Sequence, residues 1–334
     1  MKQLCVLPIL FLISAGGYAA ENVFTVERTP SGGAEVKIDG KPFASYVIDQ
    51  ANKPYLFPIY GPTGKAMTRA YPMQQVEGEQ TDHPHHRGIC FGHERLAGGT
   101  DTWSEQMTFD EYMKNPKREK AGKEGLEKLG SEKHREFTKL EADGEKALIV
   151  EICDYLDPAG KRFLTEERRM TFRVVGNTRV IDFDQDLVAS DGPVKFEDRK
   201  DAGLSIRVPS SMAVDSKQGG QIINSEGITN ADAWSKPAKW CDYHGPVEGE
   251  QLGIAMLNHP SSFRYPTRWH VRTYGLFTAN PFASLGYNKE MPDVSFELKS
   301  GERLKLRHRF IFHKGDEKAA KIAEAFDTYA AETR

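Results

Sequence analysis

The chain has 334 residues, 39% hydrophobic and 10% aromatic, with a formal net charge of -3 at pH 7. That is enough apolar material for a sizeable core, and the near-balanced charge excludes the basic field that nucleic acid or an anionic membrane surface requires. No Gly-x-Ser-x-Gly elbow, P-loop, Gly-x-Gly-x-x-Gly after a strand or His-Glu-x-x-His occurs, which sets aside elbow serine hydrolases, nucleotide enzymes and zincins.

The chain opens with a short positive start at Met1-Lys2-Gln3, an apolar run over residues 4–15 and the small-x-small triplet Gly17-Tyr18-Ala19. This is the pattern of a signal peptide over residues 1–19, cleaved near Ala19, and it predicts export to the periplasm or beyond. The run is shorter than the roughly 20 residues that cross a bilayer, and no later run is long enough. Residues 20–334 read as one domain. Cys90, Cys153 and Cys241 then remain, an odd number that allows at most one disulfide.

From residue 24 the pattern is β, with strands expected over 24–27, 34–38, 43–48 and 55–60. Residues 104–130 differ, being rich in Lys and Glu with Pro116, Gly122 and Gly125 interrupting any long helix. They read as a solvated insertion with a short helix near 105–113, or alternatively as a lid. Strands resume over 136–140, 146–155, 163–175 and 178–188, the first two joined by a turn centred on Asp143-Gly144. In the last of these, Asp182, Asp184 and Asp186 share one face, because strand side chains alternate with period two. Such a row can hold a hard cation or form a wet sheet face. Further strands are expected over 194–200, 204–208, 251–257, 269–277, 294–298 and 304–313, and helical spacing over 317–333. Many strands, no βαβ alternation and one C-terminal helix predict an all-β fold, a large β-sandwich.

Four of the ten histidines fall in Asp82-His83-Pro84-His85-His86-Arg87-Gly88-Ile89-Cys90-Phe91-Gly92-His93. Titratable groups so crowded are poor packing material, since each needs a partner when buried. In an extended segment His83 and His85 point one way and His86 the other, so a divalent ion at His83, His85 and His93 is one expectation. Acid–base chemistry is another, because imidazole titrates near neutral pH. A second constellation is Arg268, His270, Arg272 and Tyr274, one face of the strand expected over 269–277, which suits a polyol or an acidic sugar. Glu197 and Asp198, in a run of charges before 204–208, are candidate carboxylate partners.

The segments Lys53-Pro54-Tyr55-Leu56-Phe57-Pro58, Thr68-Arg69-Ala70-Tyr71-Pro72, Asp82-His83-Pro84-His85-His86-Arg87-Gly88 and Pro266-Thr267-Arg268-Trp269-His270-Val271-Arg272 resemble the PmoA-like family of secreted bacterial proteins. The resemblance implies a β-sandwich similar to the galactose-mutarotase supersandwich and a place in carbohydrate use. The membrane oxygenase activity in that family's label does not follow, because the chain has no membrane-length apolar run after residue 19. Asp201-Ala202-Gly203 departs from the Glu-Gly-Gly of relatives.

The expectation is an exported carbohydrate-directed enzyme of lyase, epimerase or hydrolase type acting on a small-molecule or oligosaccharide substrate. His85, His86, His93 and Glu197 would move protons. His83, Arg87, Trp103, Asp198, Arg268, His270, Arg272 and Tyr274 would contact substrate. This requires residues 82–93 and the arginine-bearing strand to share one hollow. Two alternatives make different demands. A carbohydrate-binding or scaffold protein would present Trp103, Trp240 or Trp269 as a flat exposed ring. A metal-dependent oxidase would bind copper or iron at His83, His85 and His93.

Overall fold

The computed structural model describes residues 23–334, so the expected signal segment lies outside the described residues. Strands β1 (Phe24–Arg28), β2 (Ala34–Ile38), β3 (Lys41–Val47) and β4 (Tyr55–Ile59) form an antiparallel meander, and a long loop leads to β5 (Ile89–His93). Helices α1 (Gln106–Met113) and α2 (Glu119–Leu126) follow. The chain then builds a second meander from β6 (Ser131–Ala142), β7 (Lys146–Leu156), β8 (Arg162–Val175) and β9 (Thr178–Val188). After the short β10 (Val194–Phe196), β11 (Ala202–Arg207) returns to the first sheet, and β12 (Gln221–Asn224), β13 (Trp240–Val247) and β14 (Glu250–Asn258) join the second. The hairpin β15 (Arg268–Val271) and β16 (Leu276–Asn280) completes the first sheet, β17 (Phe296–Leu298) pairs with β10, and β18 (Arg303–Lys314) inserts beside β9. Helix α3 (Ile322–Ala330) ends the chain.

The result is two eight-stranded antiparallel sheets, ordered β1-β2-β3-β4-β5-β11-β16-β15 and β12-β13-β14-β18-β9-β8-β7-β6, packed face to face. Side-chain alternation puts Ile89 and Phe91 of β5, Leu204 and Ile206 of β11, and Trp269 and Val271 of β15 into the shared core. Their neighbours Cys90, Ser205, Arg207 and His270 therefore lie on the outer face of the first sheet. On the outside of the second sheet, Ile322, Phe326 and Tyr329 of α3 cover Val180, Trp240, Ala255, Leu257 and Ile311.

The core is not wholly apolar. Glu166 and Arg168 point inward from β8, and Arg168 contacts Glu166 at 2.7 Å, Glu132 at 3.3 Å and the Tyr46 hydroxyl at 2.8 Å. Burial, partly offset by the Arg168 charge, pushes the Glu132 carboxyl well up from its ordinary value. Asp182, Asp184 and Asp186 do share a face, but arginines occupy it. Arg309 and Arg334 bind Asp182, Arg334 binds Asp184, and Arg303 and Arg307 bind Asp186. Cys90, Cys153 and Cys241 are all free thiols.

Three expected elements differ. The strand expected over 269–277 is a hairpin, because Gly275 donates back to the Arg272 carbonyl at 2.9 Å and turns the chain. The strand expected over 194–200 stops at Phe196, where Glu197 and Asp198 leave the ladder. The histidine stretch contains β5, a central strand that its polar start concealed.

Candidate functional site

A cleft of about 510 Å³ lies over the outer face of the first sheet. Its floor is the loop entering β5, one wall is the α1–α2 pair, and the other is the β15–β16 turn with Lys200 and Asp201. The loop is pinned at Gly88, whose φ is +29° and where a Cβ would lie 1.8 Å from the Leu56 carbonyl oxygen. Only glycine permits that approach.

His83, His85, His86, Trp103, His270, Arg272 and Tyr274 all line this cleft, so the structure brings both sequence constellations together. The rings of His83, His86 and Tyr274 are parallel, with centroids 4.9 Å apart for His83–His86 and 5.2 Å for His83–Tyr274. His270 faces the cleft because Trp269 and Val271 take the core side. Arg272 and Tyr274 reach it from the turn rather than from a strand face.

The hydrogen bonds fix what these rings present. Asp82 accepts the His83 Nδ1–H at 2.6 Å, so Nε2 is the ring nitrogen that Asp82 does not engage. Burial alone would raise the Asp82 carboxyl, but the His83 hydrogen bond and the Arg207 and Arg69 charges hold it well below the usual carboxylate range. Arg207 donates to His86 Nδ1 at 3.1 Å; a guanidinium only donates, so the His86 proton sits on Nε2. His270 Nδ1 donates to the Lys200 carbonyl at 2.6 Å. Burial lowers His270 to about 4, and burial with the surrounding cationic groups holds His85 and His86 well below their ordinary value. These three are neutral at pH 7. His85 is held by Thr108 of α1, Nδ1 to Oγ1 2.8 Å.

Most of the insertion is exposed, but one side of it packs against the cleft. Trp103, Thr108 and Phe109 are buried, and α2 packs tightly on α1 because Gly125 lies where a Cβ would meet the Phe109 ring at 2.2 Å. The glycines read as helix interruptions are what permit this packing.

Other expected site residues stand elsewhere. His93 is fully buried, edge-on to Phe196 and Phe282, and its Nδ1 accepts the Arg95 N–H at 3.0 Å. It therefore neither lines the cleft nor joins His83 and His85 around an ion. Among the described residues, the cluster of such groups whose ligand atoms lie within 4.8 Å of one another is Asp242, His244 and Glu317, where His244 and His313 both hydrogen-bond Asp242. Glu197 pairs with Arg199 at 3.1 Å, outside the cleft. Asp198 accepts the N–H groups of Ser284, Leu285, Gly286 and Val294 and organises that loop. Arg87 is committed to Glu105 through hydrogen bonds of 2.8 and 2.9 Å, beneath the floor. Arg268 donates to the Ser235 carbonyl on the far side of β15. Trp103, Trp240 and Trp269 are all buried, so none is a flat exposed ring.

Sequence reasoning missed Arg69 and Arg207, which clamp Asp82 at 2.6 and 2.8 Å. A signal existed for Arg207: it ends the apolar run 204–208, where a guanidinium must have a partner. Glu94 was missed too. It lines the cleft, and burial with the Asp201 and Asp101 charges pushes it up.

Fold and cleft together define a two-sheet β-sandwich with a histidine-lined polar cleft on one outer face. The chain belongs to the family described as "Family of unknown function (DUF6807)", which matches residues 33–327. That description does not include the PmoA label, which is not carried further. No curated protein matches the chain. Among solved structures it is similar to galactose 1-epimerase from Lactobacillus acidophilus NCFM, at 8% identity and a TM-score of 0.38 over 88% of this chain and 99% of that one. It is also similar to the alpha-galactosidase from Lactobacillus brevis, at 12% identity and a TM-score of 0.31 over 94% of this chain and 42% of that one.

Proposed function

We propose that the protein is an exported carbohydrate-directed enzyme that moves protons between cleft histidines and a hydroxylated substrate. One observation carries the reading: an imidazole oriented by a carboxylate lies parallel to one oriented by an arginine, with ring centroids 4.9 Å apart and the second ring's proton on Nε2. One fold thereby supplies an acceptor and a donor side by side, which is the equipment of acid–base catalysis.

His83 withdraws a substrate proton, and Asp82 stabilises the imidazolium that forms. His86 hydrogen-bonds the oxygen on which negative charge develops and, together with His85, keeps the floor uncharged before substrate arrives. The cleft volume falls in the roughly 300–1,000 Å³ range of small-molecule sites. Lyase, epimerase and hydrolase chemistry all use such a pair. The pattern of residues 1–19 supports export as part of this reading.

The test is a panel of neutral and oxidised mono- and oligosaccharides incubated with the purified protein and followed by NMR. Turnover by the wild type, reduced on the order of 100-fold or more in His83→Gln and His86→Gln, is the expected result. Binding without turnover in the wild type would make this a binding protein.

A further inference from the structure

Within the proposed sugar-directed reading, on which this inference rests, one cleft residue has no role. Arg272 projects from the β15–β16 turn into the cleft, half-buried, with its guanidinium 5.3 Å from the Trp234 ring and 5.6 Å from the Tyr274 ring. Among the described residues it makes no ion pair and no side-chain hydrogen bond. The other arginines at the floor are occupied, Arg69 and Arg207 by Asp82 and Arg87 by Glu105, while Arg95 approaches Glu197 only to 3.7 Å. A guanidinium held between two aromatic rings, with its donors unspent, is preorganised for a ligand.

The surrounding charges favour an anionic one. Behind the floor each carboxylate is shared by two cations, Asp82 by Arg69 and Arg207, and Glu105 by Arg87 and Lys53. Of the four acids on the cleft walls, Glu124 lies 3.7 Å from Lys120 and the other three are subdued. Asp201 is paired with Lys200 at 2.7 Å, and Asp101 spends its carboxylate on the N–H groups of Trp103 and Ser104. Glu94 is pushed toward its neutral form by burial.

We infer that the substrate carries a carboxylate, gripped by Arg272, and is therefore an acidic sugar: a uronate or aldonate residue, alone or at the end of a short chain. A planar carboxylate matches the two parallel N–H donors of one guanidinium. Lys128 also lines the cleft and makes no ion pair among the described residues, so phosphate is the competing anion that glucose 6-phosphate tests. The carboxylate at Arg272 would place the neighbouring ring carbons near His83, whose ring stacks against the same Tyr274.

The experiment measures binding by calorimetry for matched pairs: glucose with glucuronate, galactose with galacturonate, and glucose 6-phosphate as a second anion. Wild type, Arg272→Lys and Arg272→Gln are compared, each checked for native circular dichroism and melting. The expected result is a uronate preference of about 10-fold or more in the wild type, falling to within about twofold in Arg272→Gln and partly kept in Arg272→Lys. Neutral sugars bound or turned over as well as uronates, with no effect of Arg272→Gln on the ratio, would overturn the inference and leave the proposed function standing. Preference for glucose 6-phosphate over the uronates would overturn the carboxylate assignment. Failure of every sugar to bind would remove both readings together.

Discussion

The architecture of the cleft depends on the buried Arg87–Glu105 pair, and Glu105→Gln tests that directly. Both side chains are nearly inaccessible, at 7% and 4% exposure. Arg87 donates from Nε and Nη2 at 2.8–2.9 Å, and the Lys53 ammonium lies 3.7 Å from the same carboxylate. Two unit charges 4 Å apart at an effective dielectric near 20 attract by about 4 kcal/mol, and removing one partner of a buried pair typically costs about 3–5 kcal/mol. Glutamine keeps the shape but leaves Arg87 and Lys53 without their counter-charge, so the loss should fall near the top of that range. Arg87 then keeps one neutral amide oxygen as acceptor and its contact with the Tyr55 ring at 5.4 Å. Urea unfolding followed by circular dichroism and tryptophan fluorescence measures the change. The pair Arg87→Met and Glu105→Leu completes a cycle, whose double variant should cost about 2 kcal/mol less than the sum of the singles. A Glu105→Gln loss below about 1 kcal/mol, or strict additivity in the cycle, would show that the pair does not hold the wall in place.

Acid should destabilise the protein in a defined window. Burial lowers His93 to about 3, His308 to about 3 and His270 to about 4, so the unfolded chain takes up protons near pH 6.5 that the folded chain refuses. Stability is constant with respect to these groups above about pH 6.5 and falls below it by about 1.4 kcal/mol per pH unit for each histidine. His244, raised by the Asp242 hydrogen bond and charge despite its burial, contributes with opposite sign but is outnumbered. Urea midpoints equal at pH 7.5 and 5.0 would contradict this. Gly88→Ala should lose more than about 3 kcal/mol or fail to accumulate, because backbone and not a pliable side chain opposes its Cβ. Gly144→Ala, in an open turn with φ +90°, should cost only about 1 kcal/mol, and equal losses at the two glycines would refute the contact argument. Asp82→Asn should lower turnover of any substrate found by about 100-fold or more, since His83 loses the group that sets its tautomer. Unchanged turnover would remove His83 as the acceptor.

What could be read along the chain and what could not divide on physical grounds. Period-two alternation is a local property, so β2 and β9 were expected at their observed limits, and the helix near 105–113 and the C-terminal helix within a few residues at most ends. The same local logic placed the imidazoles of 83, 85 and 86, with His270, Arg272 and Tyr274, among the chemistry-bearing residues. It also named His93, Glu197, Asp198, Arg87 and Arg268, which the structure places off the cleft lining. Asp198, Arg87 and Arg268 are held by partners that only folding supplies, a loop of four amides, Glu105 and the Ser235 carbonyl, while Glu197 pairs locally with Arg199 and His93 is buried among phenylalanines. Arg69 and Arg207 went unnoticed for the converse reason. Their ligand, Asp82, is 13 residues from one and 125 from the other, and that pairing follows from β5 and β11 becoming neighbours in the first sheet. Composition and alternation thus determined that the chain forms a sandwich and which residue types are available for chemistry. Tertiary contacts decided which of those groups line the cleft and which are spent on structure, because partners such as Arg207 for Asp82 and Glu105 for Arg87 stand far away in sequence.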